Sequence, residues 1–139
     1  MMNKKIIVFL FSLLMIFQIN SSYACSQKKI KIYYVNFDID TPFSISPSEF
    51  LKCFDVVDSV EISNKDDVKL LVRELSSKER IKCDNFDCRA MCTYIDGAKS
   101  FNFYISNFYI LNGEDCFFIT KNIIDLLVKY KIVSADYFM

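Results

Sequence analysis

Histidine is absent from this chain of 139 residues, and glycine occurs only twice. Without histidine, neither a Ser-His-Asp triad nor a Cys-His pair is available for nucleophilic catalysis. The two isolated glycines, Gly97 and Gly113, do not form the glycine-rich loop that cradles phosphate groups. The sequence therefore predicts no catalytic residues and no cofactor, which are the expectations for a protein that is not an enzyme.

A strong charge of either sign is also lacking, because 17 basic residues balance 17 acidic ones. No basic block stands out, so the chain has no electrostatic footprint for nucleic acid or an anionic membrane. Adjacent carboxylates such as Asp66 with Asp67 are interpreted as helix-start residues, and Glu114 with Asp115 as hairpin residues. An acid-base pair needs a defined separation in space, which adjacency in sequence does not supply.

The first 24 residues have the features of an export signal. A lysine-containing start precedes the apolar run 6–17, and small residues, Ser22 and Ala24, stand three positions and one position before Cys25. This arrangement is typical of a secretory signal peptide, whereas a membrane-spanning helix needs roughly 20 apolar residues. The sequence predicts a signal peptide over 1–24, cleaved between Ala24 and Cys25, and a periplasmic or secreted bacterial protein.

The predicted mature chain, 25–139, has the length of a single domain. Its first residue, Cys25, raises the question of lipid attachment. Ala24 before the cysteine fits a lipoprotein signal, but Ser22 stands where a large apolar residue is usual, and Tyr23 is bulky. Membrane association is therefore expected only if Cys25 is lipidated.

All six cysteines follow the signal, and an even number in an exported chain predicts a disulfide framework with 15 conceivable pairings. The candidates are Cys25, Cys53, Cys83, Cys88, Cys92 and Cys116. On a strand, Cys88 and Cys92 lie about 13 Å apart. They cannot bond each other and each needs another partner. Cys116 is one candidate, Cys53 could staple a helix onto the sheet, and Cys83 could close on Cys88. The spacing of Cys83, Cys88 and Cys92 and the lack of histidine argue against a metal site.

Hydrophobic periodicity predicts nine elements in the order β-α-β-α-β-β-β-β-α. The predicted strands cover 29–40, 56–62, 88–95, 99–105, 108–111 and 115–119, and the helices cover about 47–54, 63–75 and 121–131. In the first strand the apolar positions change parity at Tyr33-Tyr34. Either a β-bulge or a strand with both faces half buried explains this change.

Several local signals set the predicted turns and helix starts. Ser46 with Glu49 forms a capping box, Ser63 or Asn64 caps the second helix, and Thr120 caps the last. Asn112-Gly113 predicts a tight hairpin. Within the last helix, Asp125 and Lys129 are spaced for an ion pair. The predicted fold is α+β: an antiparallel β-meander sheet with about three helices packed on one face, stapled by disulfides.

Four pieces of the chain resemble a loose class of small, uncharacterised exported bacterial proteins. The pieces are Phe37-Asp38-Ile39-Asp40-Thr41 leading to Ser44-Ile45, Ile62-Ser63-Asn64 before Leu70-Leu71, Phe86-Asp87-Cys88-Arg89 before the meander, and Asn112-Gly113 before the last helix. Some proteins of this class look like immunity partners of antibacterial toxins. The resemblance implies no functional residue.

Export, small size and the missing catalytic set favour a binding protein, and the leading hypothesis is an immunity or inhibitor protein that occludes an envelope-acting toxin. Exposed aromatics at sheet faces commonly anchor partners, and the tip 107–114 is the predicted contact region. Its contact residues are Asn107, Tyr109, Asn112 and Glu114. Two alternatives are a structural or accessory envelope protein, with or without a lipid anchor at Cys25, and a hydrolase using a carboxylate pair.

Overall fold

A six-stranded antiparallel sheet with three helices forms the domain in the computed structural model, which describes residues 26–76 and 79–139. In chain order the elements are β1 Lys29–Tyr34, α1 Phe50–Cys53, β2 Asp58–Ile62, α2 Lys65–Glu74, β3 Ala90–Asp96, β4 Lys99–Ile105, β5 Tyr109–Asn112, β6 Asp115–Phe118 and α3 Lys121–Lys129. The predicted α+β class and element order are confirmed. The predicted signal peptide, its cleavage position and Cys25 lie outside the described residues.

The spatial order of the strands is β2-β1-β3-β4-β5-β6. The last four strands follow one another as the predicted meander, and β1 lies between β2 and β3. Gly97 and Gly113 have φ of +61° and +63° and occupy the tight turns between β3 and β4 and between β5 and β6. These left-handed conformations favour glycine, so the predicted Asn112-Gly113 hairpin is confirmed.

The main core lies between one face of the sheet and the two longer helices. Alternate strand residues such as Ile32, Cys92 and Phe103 face it and are at most 1% exposed. Leu71 of α2 and Leu127 of α3 close the core from the other side. The period of two in the strands and of 3.6 in the helices places these apolar positions on facing surfaces.

A smaller core lies on the opposite face of the sheet. Tyr33, Met91 and Tyr104 occupy cross-strand positions there and pack with Phe50 of α1. The shortest helix therefore covers the opposite face, while α2 and α3 share the main one. The helices are divided between the two faces and do not all pack on one face as predicted. Both faces of the sheet therefore contact apolar side chains.

The first strand ends earlier than predicted, at Tyr34 rather than residue 40. Its pairing with β3 is one-to-one from Lys29 to Tyr34, so the alternative of a β-bulge is wrong. Beyond the strand, Val35 enters the smaller core and Phe37 the main core. Tyr137 of the C-terminal tail packs edge-on against Phe37, with ring centroids 5.9 Å apart, so this end of the chain is docked.

Two of the three predicted helix caps are formed. The Asn64 side chain accepts hydrogen bonds from the backbone N–H groups of Asp66 and Asp67, and Thr120 accepts one from Ile123. The Ser46 hydroxyl donates to the Glu49 carboxylate at 2.7 Å, but α1 begins only at Phe50. The predicted capping box is therefore a turn that precedes a shorter helix.

Polar contacts join α2 and α3 at both ends. At one end Asp67 accepts from Lys129 Nζ at 2.6 Å and from the Tyr130 hydroxyl at 2.5 Å. At the other, buried Glu74 accepts from the Thr120 hydroxyl at 2.8 Å. The start of each helix thus meets the end of the other, and the two run antiparallel. The predicted Asp125–Lys129 pair is wrong, because Lys129 reaches across to Asp67; Asp125 instead pairs with Lys121 at 2.8 Å.

Candidate functional site

One disulfide joins cysteines of the described chain, between Cys83 and Cys116, with Cα atoms 5.9 Å apart. Cys116 lies on the edge strand β6, and the Ile81 N–H donates to the Cys116 carbonyl oxygen at 2.9 Å. The bond therefore holds the segment before β3 against the outer edge of the sheet. Cys116 was predicted as a partner of Cys88 or Cys92, and that pairing is wrong, as is the closure of Cys83 on Cys88.

Cys88 and Cys92 are free thiols with no exposed surface. As predicted, they do not bond each other, but the expectation that each bonds another cysteine is wrong. Burial raises the pKa of Cys88 to about 12 and that of Cys92 well above its usual value. A thiol reacts as its thiolate, so both groups are inert core side chains.

Cys53 is an exposed free thiol at the end of α1, so the expected staple of this helix to the sheet is not formed. Phe50 fixes the helix instead, because its ring is fully buried in the smaller core and packs edge-on against Phe54 at 5.6 Å. Apolar packing holds the helix in place of a covalent bond.

The four predicted contact residues lie at two ends of β5. Asn107 and Tyr109 stand at the turn that enters the strand, whereas Asn112 and Glu114 belong to the hairpin that leaves it. Asn112 lies three positions along the extended strand from Tyr109, a distance of about 10 Å. The four residues therefore do not form one tip, and their role in binding stays a prediction.

Three aromatic side chains gather at the end where β5 begins. The Tyr109 ring lies between those of Phe108 and Phe118, with centroids 6.3 Å and 5.5 Å away. Phe108 is 66% exposed and Phe118 is 60% exposed. We call Phe108, Tyr109 and Phe118 the aromatic cluster. It presents more apolar ring surface to solvent than a lone surface aromatic does.

Short hydrogen bonds fix the backbone beneath the aromatic cluster. The Ser106 hydroxyl accepts from the Tyr109 N–H at 2.9 Å and from the Phe108 N–H at 3.3 Å. The Ile119 N–H donates to the Phe108 carbonyl oxygen at 2.8 Å, which ties the turn to the end of β6. Because the backbone is held on both sides, the rings project from a fixed platform.

Buried Arg89 organises the segment that follows β1. One of its terminal nitrogens, Nη2, contacts the Asp87 carboxylate at 2.7 Å and donates to the Ile39 carbonyl oxygen at 3.0 Å. Asp87 also accepts from the Ile45 N–H at 2.9 Å. These contacts are internal and give Arg89 and Asp87 a structural role. Within residues 26–76 and 79–139, no three histidine, cysteine or carboxylate side chains are grouped to hold a metal ion.

Two of the open clefts in the described part of the chain differ in their linings. One, of about 490 Å³, lies between Phe37 and the C-terminal segment around Tyr137. The other, of about 570 Å³, lies between the start of β1 and α2, with Val68 and Tyr94 in its lining. Both volumes fall in the range of small-molecule sites. The second cleft has the more apolar lining.

Comparison with known proteins gives no match, whether to a family model, a curated protein or a solved structure. In the part of the chain that the structure describes, no helix is both long and apolar enough to cross a membrane.

Proposed function

We propose that this chain is a small exported binding protein, and specifically an immunity or inhibitor protein that occludes a toxin acting in the bacterial envelope. The aromatic cluster is the observation that carries the proposal. Phe108 directly precedes β5 and Phe118 ends the neighbouring strand β6, yet each side chain exposes more than half of its surface to water. Exposed rings of this kind lose contact with water when a partner covers them.

The chemistry of the cluster suits a protein partner. Aromatic side chains are enriched at the energetic centres of protein interfaces, where they offer large apolar area with few rotatable bonds. Tyr109 adds a polar hydroxyl to the rings, and Asn107 directly precedes Phe108 in the same turn. The turn is already ordered by Ser106, so binding costs little additional conformational entropy.

The test challenges a sensitive strain with envelope-acting toxins, beginning with the products of genes that neighbour this one. Wild-type protein protects the cells and is recovered in complex with the toxin. The double variant Phe108→Ala, Phe118→Ala loses protection and at least about 2 kcal/mol of binding free energy, the usual cost at an interface centre. The matched control is Phe43→Ala, because Phe43 is 63% exposed and lies outside the cluster.

Failure of the wild-type protein either to protect or to form a complex would refute the toxin assignment. Equal loss of binding in the Phe43 control would refute the aromatic cluster as the contact surface. Mass spectrometry of the mature N-terminus tests the alternative role, because a diacylglyceryl group on Cys25 together with no toxin binding would favour an accessory envelope protein.

A further inference from the structure

The cleft of about 570 Å³ beside α2 combines an apolar floor with a cationic rim. Lys65, Val68, Lys69 and Val72 line it from one side. These residues follow the spacing i, i+3, i+4, i+7, which places them in a single stripe along the helix. Tyr94 of β3 closes the cleft from the sheet side. The stripe alternates charge and apolar surface, unlike the wholly apolar stripe that faces a core.

The floor of the cleft is built from partly covered apolar groups. Val68 is 3% exposed and belongs to the main core, while Val72 and Tyr94 are half-buried at its border. The Tyr94 ring is held by Phe101, with centroids 5.1 Å apart. The floor is therefore preformed, and an apolar ligand group would displace water without moving these side chains.

The rim carries positive charge that the described chain does not neutralise. Lys65 and Lys69 are exposed, and in residues 26–76 and 79–139 neither forms an ion pair. Lys28, the third lysine of the lining, lies 3.7 Å from Asp96 and is partly compensated. Asp67 is committed to Lys129 and Tyr130. Two uncompensated ammonium groups therefore border the apolar floor.

We propose that this cleft binds a small anionic amphiphile, namely a carboxylate with a medium-length hydrocarbon chain. The hydrocarbon covers Val68, Val72 and Tyr94, and the carboxylate meets Lys65 and Lys69. Clefts of 300–1,000 Å³ with mostly apolar linings and a few polar groups are the usual form of such sites. A second copy of the chain is disfavoured, because a symmetric contact through this cleft would bring like charges together.

Decanoate is the probe, with decyltrimethylammonium as a matched ligand of the same chain length and opposite charge. Both are titrated below their micellar concentrations into the protein as recovered from expressing cells, by isothermal calorimetry. Decanoate binds and decyltrimethylammonium does not. The double variant Lys65→Gln, Lys69→Gln binds decanoate roughly fivefold more weakly, as expected for two exposed charge contacts. The control Lys52→Gln, Lys131→Gln removes the same charge from exposed positions outside the lining of this cleft and leaves the affinity within about twofold.

Several outcomes would overturn the proposal. If decanoate fails to bind, or if decyltrimethylammonium binds equally well, the cleft is not a site for an anionic ligand. If both double lysine variants lose the same affinity for decanoate, the effect comes from the net charge of the protein and not from this cleft. If sedimentation equilibrium shows a dimer, and the Lys65→Gln, Lys69→Gln variant is a monomer, a second copy of the chain is the occupant of the cleft. Resistance of both lysines to acetylation without any ligand shows that another segment of the chain covers the cleft. The toxin assay measures binding through the aromatic cluster, so its outcome is independent of the decanoate results.

Discussion

Removal of the Cys83–Cys116 bond offers a direct test of what holds the outer edge of the sheet. Cys83→Ser is the suitable change, because Cys83 is partly exposed whereas Cys116 is buried. Substitution at Cys83 therefore breaks the bond without leaving a cavity in β6. In the folded variant, only the Ile81 N–H contact and nearby side-chain contacts keep the preceding segment on the edge strand.

The expected loss follows from the loop that the bond closes. The two cysteines are 33 residues apart in sequence. A cross-link over such a loop removes about 12 cal/mol/K of entropy from the unfolded chain, or about 3.7 kcal/mol at 25 °C. With an unfolding entropy of about 2.1 cal/mol/K per residue over roughly 115 residues, this loss lowers Tm by about 15 °C.

Urea unfolding followed by circular dichroism measures the effect. Wild-type protein under reducing conditions matches Cys83→Ser, and the variant is insensitive to reductant. Cys53→Ser is the control, because Cys53 is an exposed free thiol, and its unfolding midpoint equals that of the wild type. A loss below about 1 kcal/mol for Cys83→Ser would refute the chain-entropy reasoning.

Three further predictions concern the helix pair, the thiols and the hairpin. For Asp67, burial raises the carboxyl pKa, but hydrogen bonds from Lys129 and Tyr130 and the charge of Lys129 outweigh burial and lower the pKa below 3.8. The stabilisation of the fold by this carboxylate is therefore present above the pKa of the unfolded state, and it is lost as the pH falls through the pKa of the folded state. Asp67→Asn therefore costs about 1 kcal/mol at pH 7 and flattens the acid limb of an unfolding-versus-pH profile, whereas Lys121→Gln, which breaks only a surface pair, does not. Cys88 and Cys92 resist iodoacetamide at pH 8 until the protein is denatured, and mass-spectrometric labelling of either in the folded state would contradict their burial. Gly113→Ala costs about 1 kcal/mol in chemical unfolding because φ is +63° with open space around the glycine, so an unchanged midpoint would show that the strain is absent.

Local signals predicted much of the fold because they act over a few residues. Asn64 and Thr120 cap their helices as expected, since a cap requires only the backbone of the next turn. Asn112-Gly113 forms its hairpin for the same reason. Alternation along β3 and β4 correctly indicated strands, but Cys88 lies before β3 in the smaller core, whereas Cys92 lies on the strand in the main core.

The candidate surfaces were less accessible to prediction. Tyr109 was identified among the contact residues, but its grouping with Phe108 and Phe118 depends on the pairing of β5 with β6. The cleft beside α2 was not predicted. The spacing of Lys65 and Lys69 was a usable signal, but whether a lysine stripe faces solvent or a cleft depends on the neighbouring sheet.

Local patterns of residues set the secondary-structure order, the α+β class and most turn positions, because periodicity and capping are properties of neighbouring residues. Tertiary structure alone decided which sulfurs meet, that Lys129 reaches Asp67 rather than Asp125, and that α1 covers the second face of the sheet. Each of these outcomes depends on distances between segments far apart in the chain. Such distances are set by the packing of the whole sheet and its helices, which no local pattern encodes.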